Sequence, residues 1–451
     1  MNDRRRLLTP GRRLTLLNHA MKNSLIPLAA VLAAGAASAQ SSVTLYGVVD
    51  SSISHYTTKS AFYNNTGVLP VSPLAALPSV KRSQTALSPS GYNASRIGFR
   101  GTEDLGGGLA AGFWLETSIA NDDGSKAINN FNRRSTFSLL GGLGEVRLGR
   151  DYVPTFWNNN VFDPFGTNGV GANLLHSVET NLHTVRGPGA VVASDNYSRT
   201  SNSIGYFLPP NLGGVYGQAM YAIHENVKQS NLVGSPSKRG RYIGARLGYA
   251  KGPLDVAAAY GESTAADVTG LTAAGLPTGV NGDNKIKTAN LGISWDFGVA
   301  KLFGEVSRVT DDRKTTTPFL GGLALLTATD KDKYTGGLVG VTVPVGPGLI
   351  RASYSRIKYK NDLGALTPTP FVTDRDASAN KIAVGYVHNL SKRTALYATV
   401  ARIRIKDGQN NPAIMGATIG GASGYLSTGA GTVGYAPRSA TGYDFGIRHA
   451  F

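Results

Sequence analysis

Apolar and polar residues alternate with a period of two along most of the chain from Val43 to Phe451. Val339, Val341, Val343 and Val345 are apolar at every second place, with Gly340 and Thr342 between them. Ala289, Leu291, Ile293, Trp295 and Phe297 repeat the pattern, with Asn290, Gly292, Ser294 and Asp296 on the other face. Ile382, Val384 and Tyr386 do so again, as do Leu396, Ala398 and Val400. Successive side chains of a strand point to opposite faces, so each run predicts a strand with one apolar and one small or polar face. Tight turns separate many runs: Asp104-Leu-Gly-Gly-Gly108, Leu140-Gly-Gly-Leu-Gly144, Lys251-Gly-Pro253 and Asn389-Leu-Ser-Lys392. Longer polar segments, 158–198, 263–284, 310–332 and 405–439, are expected as loops between the others. Consecutive strands therefore meet tightly at one end and loosely at the other.

The count is about sixteen strands of roughly ten residues. Antiparallel strands of that number and length, short-turned on one side and long-looped on the other, predict an all-β fold, a transmembrane antiparallel β-barrel. Closure pairs every backbone donor and acceptor, as a hydrocarbon surrounding demands. Sixteen strands enclose a bore too wide for side chains to fill, which leaves an aqueous lumen. A large exported β-sandwich or solenoid also alternates, but rarely sets aromatics so often at strand ends on the apolar face. Here Trp295, Phe297, Tyr354, Tyr443 and Phe445 do so. The last strand carries Tyr443, Phe445, Ile447, His449 and Phe451 on one face, a lipid-facing stripe running to the terminal residue.

Residues 24–36 form an apolar run too short to span a bilayer. It follows Lys22 and ends in Ala37-Ser38-Ala39. A basic start, a short apolar core and small residues before the cut describe a secretory signal peptide over residues 1–39, with the mature chain starting about Gln40. Met21-Lys22 makes a good start by itself, so residues 1–20 read either as an upstream extension or as the product of a misplaced start codon. Residues 40–451 are expected as a single barrel domain. Export changes the meaning of the charge. The chain has 45 Lys and Arg against 28 Asp and Glu, a formal net charge of +17. Six of those basic residues leave with the leader, and an exported chain has no nucleic acid as a natural partner. With no cysteine, disulfide scaffolds, thiolate metal sites and cysteine nucleophiles drop out together.

Several stretches resemble the general diffusion porins of Gram-negative outer membranes, the group with sixteen-stranded trimeric barrels. They are Ser42-Val-Thr-Leu-Tyr-Gly-Val-Val-Asp50, Ser95-Arg-Ile-Gly-Phe-Arg-Gly-Thr-Glu-Asp-Leu-Gly-Gly-Gly-Leu109, Gly149-Arg150, Leu390-Ser-Lys-Arg-Thr-Ala-Leu-Tyr397 and Gly446-Ile-Arg-His-Ala-Phe451, in the family's order and spacing. The resemblance implies passive diffusion of small hydrophilic solutes across the cell outer membrane, without a cofactor. It implies a homotrimer among outer-membrane lipid and lipopolysaccharide, and a third loop folded into the barrel to narrow the pore. It also implies that the stripe Tyr443, Phe445, Ile447 and Phe451 is read by the barrel-assembly machinery.

The third loop is expected at about 151–198. That interval is too long and polar for an ordinary hairpin, yet it contains Phe156-Trp157 and Phe162-Asp-Pro-Phe-Gly166. Aromatics in such a loop argue that it packs against something, and Pro164 and Gly166 favour a tight reversal. Strand parity then places charge. Ile97 and Phe99 face lipid, so Arg96 and Arg100 face the lumen. The same argument turns Arg134 inward in the fourth strand, in preference to Arg133. It also turns Arg147 inward in the fifth and Arg199 in the sixth. These arginines are expected to form one basic wall, opposed by the loop carboxylates Asp151 and Asp163. Arg96 and Arg199 match the family's pattern. Arginine rings lower the barrier for anions, which makes the expected solutes anionic.

Catalytic and metal readings fail on spacing. His176 and His183 lie seven apart in the loop, no histidine pair has the spacing of a helical zinc site, and no Gly-x-Ser-x-Gly elbow occurs. Gly429-Ala-Gly431-Thr-Val-Gly434 has the dinucleotide-loop spacing but no βαβ unit around it. An enzyme is not expected. The alternatives are a substrate-specific channel with a saturable site for an anionic metabolite and, further off, an adhesin that displays its loops.

Overall fold

The computed structural model describes residues 42–64, 78–126, 128–184, 196–225, 240–266, 270–271, 277–278, 283–319, 324–362, 376–419 and 433–451. The expected leader, 1–39, and the start at Gln40 lie outside the described residues. Sixteen strands close into an antiparallel barrel. In chain order β1 is Ser42–Asn64, and β2 runs in two pieces, Val80–Pro89 and Arg96–Gly106. The next seven are β3 Leu109–Ser118, β4 Arg134–Gly141, β5 Gly144–Tyr152, β6 Arg199–Phe207, β7 Val215–Ala222, β8 Tyr242–Lys251 and β9 Leu254–Ala266. The remaining seven are β10 Asp283–Asp296, β11 Lys301–Phe319, β12 Ala324–Val345, β13 Gly348–Asp362, β14 Ala377–Asn389, β15 Thr394–Lys406 and β16 Val433–Ala450.

Closure joins the two ends of the chain. β1 pairs with β16 from Val48↔Ala450 to Asn64↔Val433 and with both pieces of β2 on its other side. Gly47 and Phe451 exchange both backbone hydrogen bonds, at 3.0 and 3.1 Å. The outer wall is the apolar face that the alternation predicts. Leu291, Ile293, Trp295, Val339, Ile382, Val400 and the stripe Tyr443, Phe445, Ile447 and Phe451 are all exposed on it. What would be a surface in a water-soluble protein is here the face turned to lipid.

Two expectations about loops need correction. The segment 310–332 is not a loop: Thr310↔Lys333 through Phe319↔Ala324 continue the β11–β12 ladder, which makes strands of 19 and 22 residues rather than about ten. Its largely polar sequence hid it, because past the hydrocarbon layer a strand needs no apolar side. The segment 405–439 is likewise not a bare loop. It holds a 3-10 turn at Gly408–Asn410 and a short helix, α3, at Pro412–Met415, with Ala413, Ile414, Ala417 and Ile419 buried.

The loop after β5 enters the lumen and packs against the inner wall. It carries helix α1 (Pro154–Val161), a 3-10 turn at Gly169–Gly171 and helix α2 (Leu174–Thr184). Pro154 begins α1, where its missing N–H costs nothing. Asn173 caps α2 by accepting from the His176 N–H at 2.9 Å. Inward-facing wall residues Ile286, Leu338, Ile357, Ala379 and Ile403 pack with Leu174, Leu175, Val178 and Leu182 of the loop in one buried cluster. Polar contacts fix the register of this packing. Asn158 Nδ2 donates to the Ala257 carbonyl and to Asn290 Oδ1, both at 3.0 Å. Val170 N–H donates to Asp444 Oδ2 at 2.8 Å, and Lys381 Nζ donates to the Ala172 carbonyl.

Glycines on the inner wall hollow out seats for the loop. A Cβ at Gly292 would overlap the Phe162 ring, and one at Gly340 would overlap the Pro164 ring. Substitution Gly292→Leu is therefore expected to expel Phe162, loosen the loop from the wall and raise single-channel conductance above wild type. A variant that folds with wild-type conductance would show that Phe162 does not hold the loop in place.

Candidate functional site

Where β2 to β6 face the loop, a cavity of about 590 Å³ gathers Arg96, Arg133, Arg134, Arg199 and Arg351 with Glu116 and Asp163. Glu116, on β3, is the carboxylate that organises one end. Arg133 Nε lies 2.5 Å from Oε1, Arg96 Nε 3.5 Å from Oε2, and the Tyr46 hydroxyl donates to Oε2 at 2.8 Å. Tyr152 organises the other end: its hydroxyl oxygen accepts from Arg133 Nη2 and Arg199 Nη2, both at 2.7 Å. The Arg199 guanidinium also lies 4.2 Å over the Tyr152 ring, and that of Arg134 lies 4.2 Å over Trp114. Such stacking stabilises cations against the low dielectric of the wall. An adjoining cavity of about 340 Å³ holds Arg100, Arg134, Arg147 and Glu145. There Arg100 lies 5.2 Å over Trp114, while Arg147 contacts Glu145 at 2.8 Å and Asp151 at 2.6 Å.

These positions change the picture drawn from parity. Arg96, Arg100, Arg134 and Arg147 point inward, but they divide between two adjoining cavities. Arg133, passed over in favour of Arg134, stands beside it: one residue ahead of β4 the alternation no longer applies. Arg199 reaches the cavity although a register shift opposite Gly149 and Asp151 breaks the alternation that placed it there. Asp151 is not a loop carboxylate facing the arginines. It ends β5 among them, buried, 2.6 Å from Arg147 and 3.5 Å from Arg134. Asp163 borders the cavity but turns its oxygens into the loop, accepting from the Phe165 and Thr167 N–H groups and from Asn173 Nδ2. Burial pushes its pKa up. Arg351, on β13, escaped the sequence reading, which followed only the strands flanking the loop. Its inward parity with Ser353 and Ser355 was the available signal.

Behind the loop lies a second set of buried groups. Glu179 of α2 accepts from the Ser307 hydroxyl at 3.1 Å, while its other oxygen and both oxygens of Glu305 have no hydrogen-bond partner. His176 shares a 2.9 Å hydrogen bond with the Tyr197 hydroxyl. Burial pushes Glu179 up to about 8 and His176 down to about 4, so neutral forms are favoured for both. No group of three or more His, Cys, Asp or Glu among the described residues is arranged to hold a metal ion.

The Gram-negative porin family profile matches residues 28–408. "Outer membrane porin protein 32" of Delftia acidovorans is 38% identical over 433 residues, covering 96% of this chain and 100% of its own. An outer membrane porin protein of Bordetella pertussis is 29% identical over 403 residues, covering 84% and 93%. Among solved structures, "Anion-selective porin from Comamonas acidovorans" superposes with a TM-score of 0.60 at 34% identity, covering 91% of this chain and 100% of that one.

Glu179 and His176 give the docked loop a pH window. An undocked Glu179 ionises from about 4.5 upward while the docked one stays protonated to about 8, so docking weakens as pH rises through that interval. His176 acts in the opposite sense, weakening docking as pH falls from 6.5 toward about 4. Open-channel current noise is thus expected to be greater at about pH 8.5 than at about pH 5.5, and Glu179→Gln is expected to shrink or reverse that difference, because the His176 contribution then acts without the opposing one from Glu179. Equal noise at both values in the wild type would count against burial of an ionisable Glu179.

Proposed function

This chain belongs to the Gram-negative porin family, and from that premise we propose that its outer-membrane channel prefers anions among the small hydrophilic solutes that diffuse passively through it. The observation that carries this reading is the charge around the larger cavity: five guanidiniums against two carboxylates. His176, which also borders it, adds no positive charge near neutral pH because its pKa is held at about 4. A unit charge a few ångströms from a permeant ion is worth ~1 kcal/mol in bulk-like water and several times that in confined water. An excess of even two arginines therefore biases permeation by about an order of magnitude. The superposed anion-selective porin of Comamonas acidovorans supports the same sign.

The assembly follows the family. Residues 1–39 are removed on export, three copies associate, and the exposed stripe ending at Phe451 is the signal for the barrel-assembly machinery. Arg356, Lys358, Arg402, Arg404 and Lys406 are exposed on the outward parity of β13 and β15, just beyond the lipid-facing Tyr354 and Val400. Cations at that level suit the phosphates of lipopolysaccharide. The family to which the chain belongs consists of channel proteins, which supports conduction as its work. One observation favours a narrower channel: Tyr92, Trp114, Tyr152 and Trp157 border the arginine cavity and offer faces to an organic anion. Conductance that saturates with a carboxylate solute, where chloride does not, would establish that reading.

Reversal potentials in a potassium chloride gradient test the proposal. The wild type is expected to favour chloride, and Arg134→Gln with Arg199→Gln to lower the chloride-to-potassium permeability ratio about tenfold. A wild-type preference for potassium would overturn the anion reading and leave the channel itself intact.

A further inference from the structure

Arg351 stands apart from the other arginines. It projects inward from β13, about half the ring away from β4 to β6, and reaches the same cavity. Only 3% of the residue is exposed. Its guanidinium carbon lies 4.5 Å from the Tyr92 ring centre and 4.6 Å from that of Phe165, so two aromatic faces hold the side chain. Nε and Nη2 have no accessible surface and no hydrogen-bond partner.

The carboxylates nearest in electrostatic reach are turned elsewhere. Asp163 accepts from the Phe165 and Thr167 N–H groups and from Asn173. Asp50 accepts from the Tyr397 hydroxyl at 2.5 Å and from the Tyr92 and Asn93 N–H groups at 3.0 and 2.5 Å. Neither forms an ion pair with Arg351 among the described residues. A buried guanidinium without a hydrogen-bonded counter-charge is costly, and aromatic stacking offsets only part of that cost. The side chain lines the cavity, and the planar fork of an arginine matches two oxygens of a carboxylate, phosphate or sulfate.

We propose that Arg351 is the base of an oxyanion-binding subsite on the far side of the cavity, opposite the arginines of β4 to β6. This rests on the anion-preferring reading above and adds to it. A passing anion is drawn from two sides, and Phe165, at the turn of the constriction loop, forms one wall of the seat. An oxyanion that opens the seat between Tyr92 and Phe165 supplies the acceptors that Nε and Nη2 lack, which makes residence at that point longer for oxyanions than for halides.

The test uses the full-length channel in planar bilayers. Arg351→Gln is expected to lower the chloride-to-potassium permeability ratio roughly three- to fivefold with conductance at high salt near wild type. Lys360→Gln, a unit charge lost from the outward face of the same strand, is expected to leave the ratio unchanged. Arg351→Lys keeps the charge but loses the fork. It is expected to hold the ratio within about twofold while raising severalfold the concentration of inorganic phosphate that half-blocks the chloride current. An anion-selective wild type whose ratio survives Arg351→Gln would overturn the subsite while leaving the anion preference standing. A cation-selective wild type would end the anion preference, and the subsite would then stand or fall on whether Arg351→Gln still shifts the ratio toward potassium. If Arg351→Gln yields no channels, the phosphate block of Arg351→Lys decides, and a wild-type blocking concentration overturns the proposal.

Discussion

Backbone hydrogen bonds cannot be left open in hydrocarbon, and the rest of this structure follows from satisfying them by closure. Every wall strand has two neighbours because β1 pairs with β16, down to the exchange between Gly47 and Phe451. Closing sixteen strands fixes a bore that wall side chains alone do not fill. The loop after β5 supplies the missing matter. It enters along β8 to β15, where inward glycines and aliphatic side chains receive it, and leaves the arginine-bearing strands β2 to β6 facing what remains of the bore. The position of the charged cavity is thus a by-product of where the wall is shaped to accept the loop.

In that cavity and the one adjoining it, the arginines are positioned as much by one another's partners as by the wall. Glu116 joins Arg96 and Arg133, Tyr152 joins Arg133 and Arg199, and Asp151 joins Arg134 and Arg147. Shared acceptors let like charges stand close together at less cost than isolated guanidiniums would meet. They also leave the set incompletely neutralised, since one carboxylate serves two cations. Fixed orientation and residual charge come from the same arrangement. A carboxylate for every arginine would have kept the geometry and cancelled the field.

The fold was legible because a period of two over short segments admits few solutions once the chain is known to be exported. Side-chain direction in Arg96, Arg100, Arg134 and Arg147 followed from the apolar residues beside them. Legibility ended where alternation ended. The register shift beside Gly149 made the reasoning for Arg199 unsafe although its side chain reaches the cavity, and Arg133 lies one residue outside β4. Asp151 was misread as a loop residue because β5 extends to Tyr152, beyond the last apolar position that marks it. Asp163 looked like a pore carboxylate by type, but its acceptor role is decided by backbone N–H groups that no sequence pattern displays. The docked helices of the loop were also invisible, since α1 and α2 are too short and polar to declare themselves.

A second signal was present in the same alternation. In β13 the outward row runs Ile350, Ala352, Tyr354 and then Arg356, Lys358, Lys360, while the inward row runs Arg351, Ser353, Ser355 and then Ile357, Tyr359. In β15 the outward row passes from Ala398 and Val400 to Arg402, Arg404 and Lys406, while the inward row passes from Tyr397 and Thr399 to Ala401, Ile403 and Ile405. The polarity of the two faces exchanges part-way along each strand without any break in the backbone. Below the exchange the outside is lipid and the inward row is polar. Above it the outside is water and the inside is the packed vestibule formed by the loop and residues 412–419. An inward apolar residue in a channel wall therefore does not signal a misassigned face. It marks where another segment of the chain is docked, and Arg351 sits on the polar side of that boundary, next to the loop that crosses it.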